Sequence, residues 1–375
     1  IMNYKSNRFS TDNPSNILLT KLLKVNWLIV LCVVFLGLTG VAALYSAAGG
    51  NWNPWAKNHL TRLIIGVVLM FIITFIHPKF FYKLTLISFL LGLLSLVFVK
   101  FFGVGSVQRW ITIGGLNIQP SELMKFALIL MLAKYFDQLS KINFNRLLSY
   151  VIPIIYIIIP GLIVISQPDL GTGLTIIILG FAILFYVGVS LKFVFIFLLT
   201  FISSVPIIWQ QLYDYQKNRI LVFLNPEIDS LGSGYQIIQS KIAVGSGGLF
   251  GKGYLLGSQS RLNYLPEKHT DFIFTLISEE LGFFGAMIII LTFCVLIFSI
   301  AKISFSVETL FSKVIVFGVS LLIFLYLTLN IGMVCGLLPV VGAPLPLISY
   351  GGTALFTILI SIGVVLSINV HKNEE

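Results

Sequence analysis

A chain of 375 residues in which 57% are apolar and only 10% charged, with a mean hydropathy of +1.00, has too little polar surface to clothe a water-soluble domain. Its net charge of +10 calls for no nucleic acid, because about half of the cations fit a membrane-topology signal. Cys32, Cys294 and Cys335 lie in or beside apolar runs without metal-ligand spacing, which argues against disulfides and zinc.

A bilayer core of roughly 30 Å takes about 20 apolar residues per helix. Ten such runs follow in order, at 26 to 46, 58 to 77, 81 to 102, 120 to 136, 149 to 166, 172 to 189, 193 to 210, 272 to 300, 313 to 334 and 353 to 370. They exceed the length of barrel strands, and backbone in lipid must bond internally, so the expected class is an all-α polytopic membrane protein with ten transmembrane helices. The first run has no small-residue cleavage site and is read as retained. A tail over 1–25, a single domain over 26–370 without internal repeats, and a short tail over 371–375 are expected. A cytoplasmic N-terminus puts Lys79, Lys83, Arg146, Lys192, Lys302 and Lys313, among others, inside, and leaves little beyond Lys57, Lys100 and Arg109 in the short outside loops. Both termini are therefore expected in the cytoplasm, and a large loop at about 211–271, between the seventh and eighth helices, outside.

Ionisable residues inside apolar runs are costly and usually face a cavity or a partner, which singles out Arg62, Glu122, Lys125, Glu279 and Glu280. Ahead of the fourth run the glycine-rich stretch 103–110 carries Arg109, either a snorkelling side chain or part of an anion site. Gln119-Pro120-Ser121-Glu122 reads as a helix start, with proline tolerated in the first turn and glutamate favoured by the dipole. Lys125 shares a helical face with Glu122, as an intrahelical ion pair or as an anion site. Asp169, in the tight connection 166–173, is most simply the cap of the following helix.

Within the large loop, 234–243 has apolar residues at helical spacing and suggests an amphipathic segment lying on the membrane. The glycine-rich stretch 245–253 is either a turn between short helices or a set of N–H groups aimed at an anion. Asp271 directly precedes the eighth run, as a helix cap or as a reacting carboxylate; capping lowers its pKa and burial raises it. Residues 336–352 contain Pro339, Pro344 and Pro346 and cannot form a regular helix. Such a segment is buried as a plug or lines a groove for a lipid tail.

Arg109-Trp110, Gln119-Pro120-Ser121-Glu122 through Lys125, Gln167-Pro168-Asp169-Leu170-Gly171, Leu265 through Phe274 and Ser349-Tyr350-Gly351-Gly352 occur in one order. Together they resemble the SEDS family (shape, elongation, division and sporulation), over about 26–370. The wording of 235–253 and 339–346 is closer to elongation members than to division members. The resemblance implies a ten-helix fold and a peptidoglycan glycosyltransferase that polymerises lipid II at the outer face of the bacterial cytoplasmic membrane. It also implies partnership with a class B penicillin-binding protein transpeptidase and other elongation-complex proteins. In the family the aspartate of the His-Thr-Asp-Phe motif is catalytic, and Asp271 is the residue that matches it.

Such a polymerase must take a proton from the acceptor 4-hydroxyl, attack the anomeric carbon of the growing chain and expel undecaprenyl pyrophosphate. Asp271 is the expected general base, with His269 the rival because its reference pKa is about 6.5. Arg109 and Lys125, with Glu122 beside them, are the expected holders of the diphosphate, and Lys241, Arg261 and Lys268 form a second group of cations. A divalent metal, Mg or Mn, could assist, and no organic cofactor is expected. Two other classes compete. A lipid II flippase would place ionisable residues near the midplane of several helices, and a structural scaffold would leave the loop's charges without a task.

Overall fold

The computed structural model describes residues 20–103, 109–113, 116–140, 148–188, 214–229, 232–258 and 267–374, with isolated residues between 199 and 210. Helices α1 (Trp27–Ala47), α2 (Trp55–Thr74), α3 (Pro78–Phe102), α4 (Pro120–Ser140), α5 (Leu148–Ile165) and α6 (Leu170–Tyr186) come first. The shorter α7 (Asp214–Leu224) and α8 (Ser233–Ser246) lie where the large loop is expected, and α9 (Ile273–Ile303), α10 (Leu310–Val334) and α11 (Gly352–His371) complete the chain. Among the described residues, helices therefore stand on all of the expected runs but the seventh; 193–210 lies mostly outside them. Six are long and apolar enough to cross a bilayer, and the protein is a multi-pass membrane protein. Local chemistry sets several starts. His77 Nδ1 accepts the Lys79 N–H at 3.2 Å, Asp169 Oδ1 that of Thr172 at 3.2 Å and Thr309 Oγ1 that of Ser312 at 3.3 Å.

Among the described residues, the fold is all-α apart from one short hairpin. Ile111–Ile113 and Leu116–Ile118 pair as antiparallel strands β1 and β2, with Thr112 opposite Asn117. The run is short and rich in β-branched residues, which favour a pleated chain over a helix.

The centre of the bundle is α4, α10 and α11, whose apolar residues Leu128, Ile129, Val319, Ile323, Leu359 and Ile362 are fully buried. Lipid offers no hydrophobic drive between helices, so close approach through small residues matters. Gly363 lets α11 meet α2, since a Cβ there would lie 2.8 Å from the Met70 carbonyl oxygen. At the periphery, Phe80, Leu84, Leu91, Leu94 and Phe98 form an exposed apolar stripe on α3, suited to hydrocarbon.

α9 is 31 residues long, about 46 Å, which exceeds a bilayer core of roughly 30 Å. Gly282, with φ 67° and ψ −163°, divides it. The break exposes backbone groups, and the 247–253 stretch satisfies them: Lys252 and Gly253 donate their N–H to the Glu279 and Glu280 carbonyls at 3.0 Å each. In return the Phe283 and Phe284 N–H groups reach the Gly248 and Leu249 carbonyls at 2.9 and 3.2 Å. Lys252 Nζ stands 2.7 Å from Glu279 Oε1, and Ser46 Oγ donates to Glu280 Oε1 at 2.5 Å. Of the two readings of the glycine-rich stretch, the turn is the one seen.

The proline-rich segment 336–351 is a plug over 343–349, whereas Leu337 and Gly342 are exposed. Leu345, Leu347, Ile348 and Ser349 are buried, and His59 Nε2 lies 3.1 Å from the Leu347 carbonyl oxygen. α8 also packs on protein: Ile237, Ser240 and Ala243 are buried, and Ser240 Oγ donates to the Val334 carbonyl at 2.7 Å. Its apolar face is thus covered by the bundle.

Candidate active site

Directly ahead of α9, residues 267–272 form a turn in which Thr270 and Phe272 donate their N–H to the Glu267 carbonyl at 3.2 Å each. The cap of α9 is Phe272, with no side-chain cap bond, so Asp271 does not cap the helix. Asp271 is partly exposed, yet its carboxyl stands in desolvated surroundings that push its pKa up to about 6. Burial is the main cause; Glu267 and Asp169 add to it, and Arg219 and Arg109 oppose it. Opposite the carboxylate is Gly342, at φ 71°, where a Cβ would lie 3.4 Å from Asp271 Oδ2.

The two arginines reach this region from distant parts of the chain. Arg109 precedes β1; its Nη2 donates to the Pro168 carbonyl and its Nε lies 3.7 Å from Asp169 Oδ2. Asp169 caps α6, as expected, and also accepts from Gln119 Nε2 at 3.4 Å. Arg219, on α7, donates Nη1 to the Val340 carbonyl at 3.1 Å. Arg219 is not among the residues that the sequence singles out.

Glu122 and Lys125 are almost wholly buried and paired at 2.7 Å, and the hydroxyl of Tyr326 bonds both, lying 2.5 Å from Lys125 Nζ. This triad borders a cavity of about 10 Å³ whose wall includes Gly342 and Ala343, so it shares the plug with Asp271. Lys125 is a compensated cation, the ion-pair alternative of the two. Among the described residues no three His, Cys, Asp or Glu cluster to hold a metal. A divalent ion held by one carboxylate and diphosphate oxygens needs no such cluster.

The model of the cell cycle protein family comprising FtsW, RodA and SpoVE matches residues 20–374. The chain belongs to this family. The peptidoglycan glycosyltransferase MrdB of Escherichia coli K12 is 38% identical over 96% of this chain and 98% of its own. A chain solved in a peptidoglycan synthase complex that coordinates polymerization and crosslinking matches with a TM-score of 0.80 at 27% identity, covering 94% of this chain and 99% of that one. The rod shape determining protein RodA of Thermus thermophilus shares the fold, with a TM-score of 0.70 at 23% identity over 94% and 98%.

The other cations of this FtsW/RodA/SpoVE chain are dispersed. Lys268 is buried within the turn, which pushes its pKa down. His269 stacks on Trp55 with ring centroids 4.3 Å apart and 12° between planes, and burial pushes its pKa down against the pull of Glu267. Lys241 is exposed on α8 beside Gly336 and is not among the charges that bear on Asp271. Arg261 lies outside the described residues.

Proposed function

We propose that this chain, a peptidoglycan glycosyltransferase by family, polymerises lipid II with Asp271 as the general base. The acceptor 4-hydroxyl gives its proton to the Asp271 carboxylate as its oxygen bonds to the anomeric carbon of the growing strand. The anomeric carbon–oxygen bond to undecaprenyl pyrophosphate breaks, and the electron pair leaves with the diphosphate. A base works best with a pKa near the operating pH, and a value of about 6 is closer to neutrality than an ordinary aspartate's. Arg219 and Arg109, whose charges bear on Asp271, would hold the departing charge, with Arg109 turning from Asp169, whereas Lys125 would first have to leave Glu122 and Tyr326. His269 is less suited as base, because its ring is stacked against Trp55 and its Nδ1 is buried without a partner among the described residues. Any Mg or Mn would bind with the diphosphate, where it would neutralise developing charge.

The single observation that carries this reading is an uncapped carboxylate set against Gly342 in desolvated surroundings. The further assignments rest on family and charge pattern: ten membrane helices, both termini cytoplasmic, the 211–271 loop outside, and a role in elongation beside a class B penicillin-binding protein and other elongation-complex proteins. Purified protein given labelled lipid II, with and without such a transpeptidase, tests the reaction on a gel. Wild type is expected to give glycan polymer and Asp271→Ala none; polymer from a folded Asp271→Ala protein would refute the assignment.

A further inference from the structure

Three successive carbonyls of the catalytic turn are each held by a donor from elsewhere. Tyr350 donates its N–H to the His269 carbonyl at 2.9 Å, Ser349 its Oγ–H to the Thr270 carbonyl at 2.6 Å, and Asn330 its Nδ2–H to the Asp271 carbonyl at 2.8 Å. Asn330 uses its second amide hydrogen on the Ala343 carbonyl at 2.7 Å, and Ser349 Oγ also accepts the Leu345 N–H at 2.8 Å. Both partners of the Asn330 amide nitrogen are carbonyl oxygens, so only one orientation of the carboxamide fits. Both side chains are buried, Asn330 wholly. Each thus ties the turn to the plug, whose Gly342 lies opposite the carboxylate.

Such bonds are not needed to complete regular structure, because the turn already has its own Glu267 carbonyl contacts and α9 begins at Ile273. They do fix where the Asp271 side chain starts. A misplaced reacting group costs rate far more than it costs stability. We propose that Ser349 and Asn330 are positioning residues for polymerisation, holding the main chain of 269–271 so that the Asp271 carboxylate is presented over Gly342. This rests on Asp271 being the base.

Loosening the turn lets the carboxylate reach water, so a consequence beyond lost rate is a changed pH profile. The charged groups that bear on Asp271 are Glu267 in the same turn, Asp169 from the α5–α6 connection, Arg219 from α7 and Arg109 ahead of β1. Ser349→Ala and Asn330→Ala leave all four in place and add no charge. Full-length variants are compared with wild type in detergent, with labelled lipid II as substrate and thermal unfolding as the check on folding. For each we expect kcat to fall between about tenfold and about 100-fold while KM for lipid II stays within about twofold. The acidic limb of the rate profile should move from about 6 toward the ordinary 3.8. Unchanged kcat, or lost kcat with the limb still near 6, overturns the proposal. Should Asn330→Ala fail to fold, Ser349→Ala decides on the same criteria. Asp271→Ala in parallel separates the two claims: its activity retained refutes the base, whereas its activity lost beside unaffected Ser349→Ala and Asn330→Ala refutes only the positioning.

Discussion

Asp271 bears a tension between stability and chemistry that can be read from one carboxyl. Its folded pKa of about 6 lies above the ordinary 3.8, so the folded state binds the proton more tightly than the unfolded state does. The protonated group therefore suits the fold at low pH, stability falls as pH rises from about 4 to about 6, and the deficit persists at neutrality. The shift corresponds to about 3 kcal/mol at most, by the usual conversion of pKa difference to free energy. Asp271→Asn, which cannot ionise, is expected to unfold at a higher temperature than wild type at pH 7.5 and at nearly the same temperature at pH 4. Equal melting at both pH values would mean that the carboxyl is not desolvated. The residue was legible in sequence because its motif is contiguous. Arg219 was not, since its bearing on Asp271 arises from folding that brings α7 against the plug at Val340.

Elements were legible to the extent that their cause is local. Hydrophobic length is local, and the expected runs coincide with α1 to α6 and α9 to α11 within a few residues at most ends. The break in α9 was not seen, because apolar residues continue on both sides of Gly282 and the compensating backbone comes from 247–253. In retrospect the adjacent Glu279 and Glu280 ahead of a glycine were the signal. Glu279 is fully buried and paired with Lys252. Removing only the cation leaves a buried charge, at a cost of about 3 kcal/mol. Lys252→Met is thus expected to lower the unfolding temperature, and Lys252→Met with Glu279→Gln to restore most of it. Additive losses in the double variant would show that the pair does not hold the break.

At the scale of the molecule, the 267–272 turn is bonded both to the helix it precedes and to the plug, through Ser349, Tyr350 and, by way of Asn330, Ala343. Family resemblance pointed to Asp271, but the plug's proposed part depends on contacts between the 267–272 turn and residues about 60 to 80 positions later. The topology proposed here has its own test. With the three native cysteines replaced, a cysteine at Glu227 should react with a membrane-impermeant maleimide on intact cells, and one at Lys372 only after the cells are opened. The reverse pattern would put Asp271 on the cytoplasmic side and end the case for an outer-face polymerase.

The most direct test of the central claim is the pH dependence of polymerisation by wild type and by Asp271→Asn, followed with labelled lipid II on a gel. General-base catalysis by this group requires a wild-type rate that rises through about pH 6 and a variant reduced by about 100-fold or more at every pH. A wild-type rate flat across that range, or an Asp271→Asn protein that still makes polymer with the same profile, would assign the proton to another group.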